Sequence, residues 1–190
     1  SIGYNTTYEL KVSAIVEGQT LAIKSVTTTP AQGFSVANNT LGTFKYRQQE
    51  VNIEYTPSPG TEFYAFSFLA DSASLDNFIY DNPFEPGLSR KDVEDNFNAY
   101  YFQASYITNI NSNIAGPYTY TLKVYDAWFF SSYTATIYAG DANFKAYVFT
   151  AKNVTEFDGN FHEPEILFQG PGCGVFASAI REKVTFTIVP

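Results

Sequence analysis

The sequence predicts a mainly β chain: an antiparallel β-sandwich, immunoglobulin-like or jelly-roll-like, with one packed α-helix near residues 141–151. Three observations carry this. Apolar and polar residues alternate with period two along most of the chain, Gly/Pro-rich turn signals punctuate the alternating runs, and one segment alone has helical period. With 190 residues, 45% of them hydrophobic, the chain can bury the core of one sandwich domain spanning 1–190.

In "YELKVSAIV", Tyr8, Leu10, Val12 and Ala14 alternate with Glu9, Lys11 and Ser13, which reads as a half-buried strand. "TLAIKSVTTT" follows a Glu17-Gly18 turn, and the two form a hairpin that Thr29-Pro30 stops, because proline cannot donate to a ladder. "EVNIEYTP" puts Val51, Ile53 and Tyr55 on one face and Asn52 and Glu54 on the other. "TEFYAFSFLA" carries aromatics on both faces, as a strand covered on both sides would. Ser58-Pro59-Gly60 between them predicts an antiparallel pairing of Val51–Tyr55 with Phe63–Leu69. "AYYFQASYI" (99–107) and "YTYTLKVYDAW" (118–128) read as a second long pair, and "EKVTFTIVP" as a closing strand.

Residues 71–98 break the pattern. Seven carboxylates and two prolines, Pro83 and Pro86, mark a long irregular acidic insertion. Ser89 and Asp92 stand at capping-box spacing and predict one short helix there. From Asp141, a good N-cap, Phe144, Tyr147, Val148 and Ala151 recur at i, i+3, i+4, i+7, which predicts a helix of about three turns.

Charge narrows the function classes. The net charge of −8 repels phosphate backbones, so no nucleic-acid partner is expected. No 18-residue apolar run appears, so no transmembrane segment is expected, and a start at Ser1 reads as a mature product or a cut domain. Charged residues make up 16%, below the roughly 25% of average soluble domains, a profile that suits secreted or cell-surface β proteins. His162 and Cys173 are each the sole residue of their type, which excludes an intrachain disulfide and a multi-histidine zinc site. Cys173 reads as a small core residue, since nothing cationic stands near it in sequence to activate a thiolate.

The segment "FHEPEILFQGPGCGVFASA" contains Leu167-Phe168-Gln169-Gly170-Pro171, the core of a protease site widely engineered into recombinant proteins. Its flanks argue for native chain. Glu165–Phe168 reads as a strand feeding a glycine-rich turn, after which Phe176 is expected in the core. The same segment resembles the closing signature of a Bacteroidetes surface lipoprotein family, catalogued as domain of unknown function 4249: an aromatic (Phe161), Glu163-Pro164, an apolar strand (Ile166–Phe168), a glycine-rich turn (Gly170–Gly174) and Val175-Phe176-Ala177. "TTYELKVSA", "VNIEYTPSPGTEFYAF" and "DANFKAYVFTA" resemble further parts of that family. The family usually has a β section ahead of the "YEL" strand and an Asn-Ile-x-Gly-Gly turn, where this chain has Gln169-Gly170-Pro171-Gly172.

The resemblance implies a non-catalytic, lipid-anchored accessory domain at the cell surface or outer membrane, or a secreted one. It would bind a substrate or partner a TonB-dependent transporter. Two rivals come from other classes: a structural adhesin or pilus-like subunit assembling by strand exchange, and a surface glycoside hydrolase using paired carboxylates.

The candidate contact residues are Tyr100, Tyr101, Trp128, Phe129 and Phe130. Adjacent rings on a strand cannot all point inward, so some are expected to meet a carbohydrate, peptide or protein ligand; a two-sided core is the plain alternative. No organic cofactor is expected. Asp76, Asp81 and Asn82 offer hard oxygens to a calcium ion, against the plainer reading of a solvated acidic loop. Asp71-Ser72-Ala73 resembles the Bacteroidetes O-glycosylation acceptor pattern, which would put a glycan on Ser72, against the plainer reading of a turn.

Overall fold

The computed structural model of the chain describes residues 2–107, 116–150, 168–171 and 174–190. It is mainly β, as the period-two alternation predicts. In chain order the elements are β1 (Thr7–Val16), β2 (Gln19–Thr28), β3 (Ser35–Val36), β4 (Thr40–Lys45), β5 (Val51–Thr56), β6 (Phe63–Ala70), α1 (Arg90–Asp95), β7 (Phe102–Ile107), β8 (Tyr118–Leu122), β9 (Ser132–Gly140), α2 (Ala142–Thr150), β10 (Phe168–Gln169) and β11 (Ala179–Val189).

Three sheets form. A five-stranded sheet has the order β4-β11-β9-β6-β7, a three-stranded sheet has β3-β5-β8, and a third has β1-β2-β10. The first two make the sandwich. Val51, Ile53 and Tyr55 of β5 and Leu122 of β8 share one buried cluster with Tyr64, Phe66 and Phe68 of β6, Ile137 of β9 and Val184, Phe186 and Ile188 of β11. Rings from the two sheets interlock across it: Phe66 stacks on Tyr120 with centroids 4.1 Å apart, and Tyr55 meets Tyr64 at 4.8 Å.

Most predicted strands have a counterpart, but the 118–128 run ends as a strand at Leu122, β3, β4 and β9 were not predicted, and two predicted pairings are corrected. β5 and β6 do not form a hairpin; they lie in opposite sheets and face each other. Pro57 and Pro59 lack the N–H groups that would extend a ladder, so the segment between them carries the chain across the sandwich instead. Likewise β7 and β8 do not pair. β7 adds to β6, from Tyr64↔Ile107 to Leu69↔Phe102, while β8 adds to β5. The first half of β6 is buried on both faces, as its double-sided aromatic pattern implied, and the strand takes hydrogen-bonded neighbours on both edges, β7 and β9. One pair, β4 with β11, is parallel, so the sandwich is not wholly antiparallel.

The predicted β1–β2 hairpin forms, paired from Thr7↔Thr28 to Val16↔Gln19. Glu17 and Gly18 both take positive φ, 51° and 79°, which gives the turn a twist that matches its strands. β1 is less buried than predicted: Leu10 is half-buried, but Val12, Ile15 and Val16 are exposed, because the hairpin projects from the sandwich.

Its base is held by polar contacts. Buried Asp141 accepts hydrogen bonds from Thr27 Oγ1, from Ser178 Oγ at 3.0 Å and from the Phe144 N–H at 2.9 Å. The last of these is the predicted N-cap of α2. Asn143 Nδ2 donates to the carbonyls of Val26 (2.7 Å) and Phe176 (2.8 Å). The helical stripe is corrected. Tyr147 is exposed, and it is Phe144 and Phe149 that reach Phe63 on the outer face of β6, since the helix meets one aromatic patch instead of lying in a groove.

Phe168 and Gln169 pair with Ser25 and Lys24 of β2, so the protease-site core is woven into a sheet. Gly170 has φ +115° and passes so close to the Ala22 carbonyl that any side chain there would collide with it. Phe176 is half-buried, not in the core, because its segment runs along the sandwich margin toward β11. His162, Glu165–Leu167 and Cys173 lie outside the described residues.

Candidate ligand-binding cleft

The acidic insertion is folded by its own side chains. Ser89 and Asp92 form the predicted capping box at the start of α1, with Ser89 N–H to Asp92 Oδ2 at 2.9 Å and Asp92 N–H to Ser89 Oγ at 3.2 Å. The Ser89 hydroxyl, which donates to Asp92 Oδ2 at 2.6 Å, and then the Ser89 N–H hold the Asp92 carboxyl below the usual aspartate range. Arg90 pairs with Asp76 at 3.0 Å and Arg47 with Asp81 at 3.3 Å.

Asn82 is fully buried, and its amide is spent on backbone: Nδ2 donates to the carbonyls of Tyr125 (2.8 Å) and Ala127 (3.0 Å), and Oδ1 accepts from the Phe84 N–H (2.9 Å). The Asn82 oxygen, a calcium candidate from sequence, accepts one backbone hydrogen bond in the fold. Asp76 and Asp81 are engaged with two different arginines, and among the described residues no group of three or more His, Cys, Asp or Glu gathers to hold a metal ion.

The aromatic candidates divide. Phe129 is fully buried, and Trp128 is 6% exposed, stacked on Phe78 at 5.8 Å. Phe129 packs against Phe78 and Phe97, so the two-sided core accounts for it, and it is corrected as a contact residue. Tyr101 and Phe130 are half-buried, against Phe97 and Tyr46 respectively. Tyr100 packs on Trp128 at 4.8 Å and its hydroxyl donates to Glu85 at 3.3 Å; burial, then that carboxylate, pushes the phenol up from its ordinary pKa. Ser72 is exposed, with its N–H on Ser131 Oγ at 3.2 Å.

What the fold assembles is a cleft of about 220 Å³ at the open flank of the sandwich. Its long sides are the two edge strands, β7 with Gln103 and Ser105 and β8 with Leu122. Trp128 and Phe84 close one end, and Asp126 lines it beside them. The Phe84 ring stands 6.3 Å from Trp128, nearly perpendicular, yet is 72% exposed. Gln103 Nε2 donates to the Ala99 carbonyl at 2.7 Å, and Ser105 hydrogen-bonds the Tyr120 hydroxyl. Burial raises the Asp126 carboxyl, with the Lys123 backbone and charge pulling the other way.

No protein-family model, curated protein or solved structure shows a significant match to this chain. Roles for these residues therefore stand on geometry. Of the sequence candidates, Trp128 lines the cleft, and Tyr100 packs against its ring. Phe84, Gln103, Ser105 and Asp126 were missed. Phe84 carried a signal in "NPFEP", an aromatic between two prolines that cannot retreat into a regular element. Gln103 and Ser105 carried none, because polar inward positions on an edge strand look like ordinary alternation.

Proposed function

We propose that this chain is a non-catalytic binding domain of an outer-membrane, cell-surface accessory lipoprotein, which captures a ligand or docks on a TonB-dependent transporter. Location and transporter rest on the resemblance of residues 161–177 to the Bacteroidetes family. The binding mode rests on the cleft. The observation that carries it is Phe84: a large apolar ring held in water by a buried asparagine, at the mouth of a concave site with convergent polar groups. Glycoside hydrolysis needs two carboxylates about 5–9.5 Å apart. Asp126 is the one carboxylate among the described residues lining the cleft, which favours binding without bond-making.

The test is isolation of the full-length protein from its own membranes under mild detergent. Co-purification of an outer-membrane transporter, reduced by Phe84→Ala, is the expected result. A homopolymer would favour the strand-exchange reading, and hydrolysis abolished by a carboxylate substitution would overturn the non-catalytic one.

A further inference from the structure

We propose that the cleft between β7 and β8 accepts a single pyranose unit from a neutral or amino-substituted glycan. This rests on the cleft being the binding site. Its volume, about 220 Å³, is below the roughly 300–1,000 Å³ of drug-sized pockets, so it suits one ring and not an extended chain.

Its walls differ in kind. Phe84 and the edge of Trp128 offer apolar surface to the C–H face of a sugar. Gln103 retains an amide oxygen and a second N–H beyond its bond to Ala99, and Ser105 and Asp126 add a hydroxyl and a carboxyl. A pyranose, with one apolar face and a rim of hydroxyls, matches both walls at once. A peptide's aliphatic side chain would leave the polar wall unpaired, at a cost in affinity. The charge pattern sets the class of sugar. Asp126 is the carboxylate in the cleft lining among the described residues, with the Lys123 charge near enough to act on it, and the chain has a net charge of −8. Uronic acids and other anionic sugars meet like charge, while an amino sugar finds a counter-charge.

Trp128 is the sole tryptophan, so its fluorescence reports on this cleft alone. The probes are glucose, glucosamine and glucuronate, each with its short oligosaccharides, titrated into the intact chain. Saturable emission changes are expected at about millimolar glucose- and glucosamine-type ligand, with glucuronate-type ligands at least about tenfold weaker. Phe84→Ala, which removes an exposed ring, should weaken binding about tenfold with an unchanged melting temperature, and Gln103→Ala, which removes the cleft's amide, should weaken it as well. Absence of saturation with every sugar, or a response unaltered in Phe84→Ala, overturns the proposal. If sugars fail while transporter co-purification still depends on Phe84, the glycan inference falls and the accessory-domain reading stands; loss of both removes the cleft from either role.

Discussion

Asn82 Oδ1 accepts the Phe84 N–H at 2.9 Å while its Nδ2 grips the carbonyls of Tyr125 and Ala127 from across the site. One fully buried amide thus ties the acidic insertion to the segment bearing Trp128, and so sets the spacing of the two rings that close the cleft.

Asn82→Ala should destabilise the protein by about 2–4 kcal/mol, because three backbone groups, the buried Ala127 carbonyl among them, lose their partner. Asn82→Asp keeps the shape but turns two donors into acceptors facing carbonyls. It should be at least as damaging at pH 7 and recover in part on acidification, when the carboxyl regains a proton to donate. Urea denaturation at pH 7 and pH 4 checks both. Equal stability of Asn82→Ala and the parent would rule out the pin.

Asp126 is raised by burial, so the folded state favours its proton. Its contribution to stability is therefore fully present below the unfolded aspartate pKa, about 3.9, and is lost as pH rises through the higher folded value. Asp126→Asn should accordingly raise the melting temperature at pH 7 and have little effect at pH 3. A lowered melting temperature at pH 7 would mean that the carboxylate is a stabilising partner instead.

Tyr133 places its hydroxyl between the Phe129 N–H (2.9 Å) and the Phe129 carbonyl (3.1 Å), and burial pushes its pKa up to about 12; Tyr55 is pushed to about 12 by burial as well. Both protons contribute stability below the unfolded value near 10, and that stability is lost as pH rises through about 12. Absorbance at alkaline pH should show these tyrosines ionising together with loss of the fold. Tyr133→Phe should cost about 1–3 kcal/mol, measured by denaturation at neutral pH.

Phe66 and Phe176 should separate clearly. Phe66 is fully buried against Tyr120, so Phe66→Ala should cost about 3–5 kcal/mol. Phe176 is half-buried, and its truncation should cost well under that. Equal costs would place Phe176 in the core.

At the base of the hairpin, Asp141→Ala removes both the α2 cap and the acceptor for Thr27 and Ser178. A loss of about 2–3 kcal/mol is expected, with Asp141→Asn milder because it keeps an acceptor oxygen. Hydrogen exchange in β2 should rise in the alanine variant; unchanged exchange would detach the hairpin from this contact.

Local chemistry marked several elements in the sequence, though not β3, β4 or β9. The Glu17-Gly18 turn, the Thr29-Pro30 stop, the Ser89/Asp92 capping box and the Asp141 cap all act within a few residues, and all appear where the residue types demand them. The two-faced burial of the first half of β6, Phe63 to Phe66, was legible because aromatics stand on both of its faces, while Leu69 further along is exposed. Only the tertiary structure decided partners. Alternation states that a strand has an inner face but not which edge it joins, so β5 and β6, and β7 and β8, read as hairpins and proved to be opposite walls of the sandwich. The cleft followed from that choice. Gln103 and Ser105 become site residues because β7 and β8 end as neighbouring edges of different sheets, and Phe84 because an asparagine forty-odd residues away from Ala127 in sequence holds it there. Such contacts are settled by the free energy of packing the whole chain, which no window of the sequence contains.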